Sequence, residues 1–86
     1  MLDKETRRAL KARAHPLKPL VQIGRNGLTP AALANIDHAL ADHTLIKVRF
    51  NDHKQRKEEL SQEIADKTRA DIVDIIGHTL ILHRET

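Results

Sequence analysis

The sequence has no cysteine, tryptophan or tyrosine, and it contains a single phenylalanine. Without cysteine the chain can form neither disulfides nor thiolate zinc sites, which fits a reducing compartment. One aromatic residue excludes the base-stacking platforms on which many nucleic-acid-binding sheets rely. No stretch approaches the roughly 18 apolar residues of a membrane span, and the N-terminus lacks the apolar core of a signal peptide. We therefore expect no membrane partner.

The 86 residues predict one domain, 1–86, whose thin core leaves little room for a deep cleft together with a catalytic apparatus and a cofactor. Its charge is unevenly distributed. Residues 1–27 carry seven basic side chains against two acidic ones, a net charge of +5, whereas residues 28–86 carry −2. This asymmetry is compatible with a positive face that meets a polyanion, and equally with a solvated surface that binds nothing.

Local signals predict an α/β chain with the element order α-β-α-β-α-β-β. Asp3 and Thr29-Pro30 are helix-start signals, and Pro19 indicates that the first strand starts late or lies at an edge. Alternation in the second strand points Lys47 and Arg49 to one face and apolar residues to the other. The predicted helices cover about residues 3–14, 29–42 and 54–68, and the strands lie within 17–23, 44–50, 71–76 and 79–83.

The last two strands form a predicted hairpin that turns at Gly77-His78. In its first strand, Ile72 and Ile76 are expected on the face opposite Val73 and Ile75. Because both faces are apolar, we expect the two strands to be central in the sheet and covered on each side. The cover is either the first helix or a second chain.

Gly24-Arg25-Asn26-Gly27 joins a predicted strand to a capped helix and is the most informative motif. Glycines allow a sharp turn and a close backbone approach to a ligand, and the helix start favours a phosphate. A G-x-x-G loop also clamps the nucleic-acid backbone in KH-type domains. The alternative is a plain turn that needs only one glycine.

Catalytic and metal-binding patterns are missing from the sequence. It has no nucleotide-binding glycine motif, no G-x-S-x-G nucleophile and no histidine pair with zinc-motif spacing. We expect no enzyme activity, no cofactor and no metal. With one aromatic residue, nucleic-acid binding would depend on phosphate and sugar contacts, and structured RNA is favoured because no DNA-recognition helix is evident.

The run AHPLKPLVQIGRNGLT, residues 14–29, closely resembles the signature of the CRM domain, specifically of the stand-alone bacterial YhbY-like proteins. Residues 45–49 resemble that family's second-strand motif, and residues 76–84 resemble its closing hairpin. The resemblance implies a four-stranded mixed sheet with helices, similar to the C-terminal domain of the third translation initiation factor. It also implies a cytoplasmic bacterial RNA-binding protein that associates with ribosomal RNA in the maturing large subunit, without enzymatic activity.

The resemblance carries over to individual residues. Gly24, Arg25, Asn26 and Gly27 match the family's RNA-contacting loop, and Lys47 matches its exposed strand cation. The flanking positive surface of the family corresponds here to Lys18 and to the basic first helix with Arg7, Arg8 and Lys11. His83 departs from the family, in which tyrosine is common before the final arginine. We expect a monomer; the alternative function is a protein–protein adapter or dimerisation module that uses the apolar C-terminal hairpin.

Overall fold

The computed structural model of the chain describes residues 2–85. Its elements follow the predicted order: α1 (Lys4–Ala14), β1 (Val21–Ile23), α2 (Pro30–His43), β2 (Leu45–Phe50), α3 (Lys57–Thr68), β3 (Asp71–Ile76) and β4 (Thr79–His83). Within residues 2–85, no helix is long and apolar enough to cross a bilayer.

The helix starts follow from their caps. The Asp3 carboxylate accepts a hydrogen bond from the Thr6 N–H at 2.7 Å, and the Thr29 hydroxyl accepts one from the Ala32 N–H at 3.0 Å. The expected start of the third helix was wrong by three residues. His53 adopts a left-handed φ of 57°, and a short 3-10 turn, Lys54–Arg56, precedes α3.

The four strands form one mixed sheet in the order β1-β2-β4-β3, which confirms the predicted fold class. β1 lies parallel to β2, and the other two pairs are antiparallel. The short β1 follows Pro19 and is an edge strand, as predicted. The expectation that both hairpin strands are central is correct for β4 and wrong for β3, which forms the other edge.

Helices cover both faces of the sheet. On one face, α2 and α3 enclose the larger core, in which Ile36, Leu40, Phe50 and Ile64 are fully buried. On the other face, α1 packs through Leu10 and Ala14 on a smaller cluster that contains Leu45, Val73 and Ile81. The two-sided apolar hairpin is therefore covered within this chain.

A register shift in β3 changes which residues share a face. Ile72 pairs with Leu82 and Asp74 pairs with Ile81, so that Val73 is the extra residue between them. After Val73, each residue of β3 therefore faces the side of the sheet opposite to the one that simple alternation predicts. Ile72 and Ile75 therefore both contact the α2–α3 core, whereas Val73 packs under α1. The simple alternation expected from the sequence, with Val73 and Ile75 on one face, was wrong for this reason.

Candidate functional site

The glycine loop, residues 24–27, is a tight turn at the end of β1. The Gly27 N–H donates to the Gly24 carbonyl at 3.0 Å, and Gly27 adopts a left-handed φ of 70°. Gly24 has no such φ, and a Cβ added to it would meet no atom within 4 Å. The backbone of the turn therefore favours a glycine at position 27 and has no such preference at position 24.

The segment that follows β2 supports the loop from behind. Because β1 and β2 are parallel, their carboxyl ends lie side by side. The N–H groups of Asn51 and Asp52 donate to the Ile23 carbonyl at 2.9 and 3.2 Å. The His53 Nε2 lies 2.8 Å from the Arg25 carbonyl, and its ring occupies the space next to Gly27. Since a carbonyl only accepts, Nε2 carries the hydrogen.

The two central side chains of the loop are free. Arg25 and Asn26 are exposed, and within residues 2–85 neither side chain has a hydrogen-bond or ion-pair partner. The guanidinium and the amide together present donors to solvent beside the polypeptide turn. This arrangement suits an anionic ligand that is large enough to contact both side chains.

A groove of about 550 Å³ runs from the loop between β1 and α2. Small side chains line it on the helix side, including Ala31, Ala32 and Ala39, and Leu20 lies at its other wall with half of its surface exposed. The Thr29 hydroxyl already accepts the Ala32 N–H, and Pro30 has no N–H to donate. The start of α2 therefore has fewer free N–H donors than a helix that starts without a cap and a proline. The Ala31 N–H remains for a ligand.

The structure separates the cations of α1 from the loop. Lys11 forms an ion pair with Asp74 at 2.9 Å, and its hydrogen bond lowers the pKa of that carboxyl. Arg7 lies beside the same strand and also lowers the pKa of Asp74 through its charge. Since β3 and β1 form opposite edges of the sheet, Lys11 is paired at the edge strand that lies farthest from the strand carrying the loop.

The remaining predicted site residues are Lys47, Lys18 and Arg8, and Lys47 lines a groove together with Lys11 of α1. Lys47 extends over the α1 face of the sheet and donates to the His15 carbonyl at 3.2 Å, so it anchors the end of α1. Lys18 is exposed between α1 and β1, and Arg8 is exposed on α1. Among residues 2–85, no group of three or more histidines or carboxylates is arranged to hold a metal ion.

His53 is the site residue that sequence reasoning missed. A signal for it was available, since two strands joined by one helix are commonly parallel and then bring their following loops together. Residues 51–53 lie between the predicted second strand and the predicted third helix, and no function was predicted for them.

The sequence model of the CRS1/YhbY (CRM) domain matches residues 2–84, nearly the whole chain. The chain belongs to the CRM domain family. A Haemophilus influenzae protein named as an RNA-binding protein is 40% identical over 84 residues, which cover 96% of this chain and 85% of that protein. A probable RNA-binding protein of Bacillus subtilis is 30% identical over 87 residues, covering 100% and 91% of the two chains.

A solved structure shares the fold of this CRM domain. The solution structure of a Staphylococcus aureus protein, described as a candidate RNA-binding protein, superposes with a TM-score of 0.86 at 32% sequence identity. The match covers 100% of this chain and 91% of that one. The expected α/β architecture and the expected family are thus both confirmed.

Proposed function

We propose that this CRM domain binds structured RNA through the phosphodiester backbone, with the glycine loop as the central contact. The single observation that carries this proposal is Gly24. Its φ lies outside the left-handed region and its Cβ position faces open space, so the fold makes no demand for glycine there. Close approach of a ligand to the backbone is the remaining physical reason for a residue without a side chain.

Two further features support an RNA ligand. Arg25 and Asn26 offer unpaired donors of the kind that contact phosphate and sugar oxygens, and the groove beside α2 continues from them. The relatives in the family are named as RNA-binding proteins. We further propose that the RNA is ribosomal RNA in a precursor of the large subunit, that the protein acts as a bacterial cytoplasmic assembly factor, and that it binds as a monomer without catalysis.

The adapter alternative depended on an apolar hairpin that needs a partner. The apolar residues of β4 are buried within the chain, and of the hairpin's isoleucines only Ile76 is half exposed. No specific observation therefore favours the adapter over the RNA-binding function.

A charge reversal in the loop tests the proposal against a matched control. Arg25→Asp should weaken binding of large-subunit ribosomal RNA by about tenfold or more, because it removes a charge-assisted contact and adds repulsion. Arg69→Asp makes the same charge change at an exposed residue before β3, at the opposite end of the sheet and about 17 Å away along the strands.

Both variants should keep the circular dichroism spectrum of the wild type, since neither side chain has a partner in the described structure. Binding is measured by fluorescence anisotropy at one fixed salt concentration. Equal affinities of the two variants would show that the loop is only a turn, and the proposed contact would be abandoned.

A further inference from the structure

Three segments meet at the end of the sheet where the glycine loop lies. Residues 51–56 follow β2 and support the loop, and the turn at 77–78 connects β3 to β4. The Phe50 N–H donates to the His78 carbonyl at 2.8 Å, and the Lys57 ammonium donates to the Gly77 carbonyl. The hairpin turn is thus fastened to the start of α3, next to the segment that supports the loop.

This end of the sheet carries a cluster of cations, which we define as Arg49, Lys54 and Lys57 around His78. Within residues 2–85, none of the three long side chains is paired with a carboxylate, whereas Lys11, Arg56, Lys67 and Arg84 each are. The acidic residue of the segment, Asp52, accepts the His53 N–H at 2.7 Å. Within the described residues, the three cations of the cluster therefore form no ion pair with a carboxylate of the protein.

His78 lies between two of these cations, because its neighbour Thr79 pairs with Arg49 across the sheet and Lys57 donates to the carbonyl of its other neighbour, Gly77. Its Nδ1 is buried without a hydrogen-bond partner in the described structure. Burial lowers the pKa of its imidazole first, and the charges of Lys57, Lys54 and Arg49 lower it further. Three cations from β2, the 3-10 turn and α3 thus act on one ring.

A chain of hydrogen bonds connects the cluster to the groove at the glycine loop. The Arg49 Nε donates to the Asn51 Oδ1 at 3.3 Å, and the Asn51 amide donates to the Gln22 Oε1. Gln22 lines the groove between β1 and α2. The side chains between the groove and the cluster are therefore polar and held in place.

We infer that the cluster of Arg49, Lys54 and Lys57 is a second phosphate-binding surface, and that RNA held at the glycine loop continues across it. This inference rests on the proposed function and names the direction in which the RNA leaves the loop. It differs from the direction suggested by the sequence, which pointed to α1. Of the cations of α1, Lys11 is paired with Asp74 of the far edge strand and Arg7 lies beside that same strand.

The test measures the salt dependence of binding to large-subunit ribosomal RNA. The double variant Arg49→Gln/Lys54→Gln removes two charges and keeps an amide that can donate to Asn51. The slope of the logarithm of its binding constant against log[salt] should be shallower by about 1.4–1.8 than that of the wild type, because each lost phosphate contact accounts for about 0.7–0.9. The matched control is Lys4→Gln/Arg69→Gln, which removes one lysine and one arginine at exposed positions distant from the loop.

The single variant Lys54→Gln guards against a folding defect, since the Lys54 side chain has no partner within residues 2–85. It should flatten the slope by about half as much as the double variant. Slopes equal to those of the control would overturn the inference even if Arg25→Asp abolishes binding. If the wild type itself binds no RNA, both the inference and the proposed function are wrong.

Discussion

Replacing Gly24 with alanine should leave the fold intact and weaken RNA binding, whereas Gly27→Ala should destabilise the fold itself. At position 24 the added methyl group meets no atom within 4 Å and the φ suits any residue. Such a substitution stabilises a protein by about 0.4–1 kcal/mol, because it restricts the unfolded chain. At position 27 the φ of 70° costs alanine about 1–2 kcal/mol.

The Cβ of Gly27→Ala would lie 3.4 Å from the His53 Nε2, an ordinary van der Waals contact, so the cost comes from the backbone φ rather than from crowding. The hydrogen bond between His53 and the Arg25 carbonyl should therefore survive the substitution. Binding is affected differently at position 24, where a phosphate clamped against the backbone would be displaced by the new methyl group. Loss of one charge-assisted contact corresponds to about 1.5–3 kcal/mol, or tenfold or more in affinity.

The assay combines urea unfolding of both variants with RNA binding by fluorescence anisotropy at one fixed salt concentration. We expect Gly24→Ala to unfold at the wild-type urea concentration or slightly above, and to bind RNA at least about tenfold more weakly. An alanine variant at position 24 with wild-type affinity would refute the reasoning, since close approach at Gly24 is the observation that carries the proposed function.

The remaining predictions concern the hairpin turn. Gly77 adopts a φ of 58° and has open space at its Cβ position, so a side chain there meets no clash but strains the backbone by about 1–2 kcal/mol. Gly77→Val should therefore lower the melting temperature by about 5–10 °C. A melting curve like that of the wild type would contradict this strain. The lowered pKa of His78 means that the unfolded chain binds its proton more readily, so the free energy of unfolding should fall as the pH drops below about 6.5. His78→Gln should remove this pH dependence of the free energy of unfolding in urea titrations between about pH 5 and 7. The stability that comes from the lowered pKa values of Asp37 and Asp74 should be lost only near about pH 4 and below. A His78→Gln variant with the pH dependence of the wild type would assign the effect to another histidine.

The sequence by itself determined the local conformations. Asp3, Thr29-Pro30 and Gly77 act within a few residues, through a cap or a permitted φ, and each begins or ends an element where it was expected. The alternation in β2 likewise separates Lys47 and Arg49 from the buried Ile46, Val48 and Phe50. The resemblance to the CRM family added the four-stranded mixed sheet, without its strand order, and the prediction that the glycine loop contacts RNA.

Only the tertiary structure decided what surrounds that loop. The parallel pairing of β1 and β2 brings His53 to the Arg25 carbonyl, and the sheet order places Arg7 and Lys11 at the far edge beside Asp74. The register shift at Val73, which exchanges the faces of the following residues, is equally invisible in local patterns. These outcomes depend on how distant apolar surfaces pack together, and a pattern of neighbouring residues contains no information about that packing.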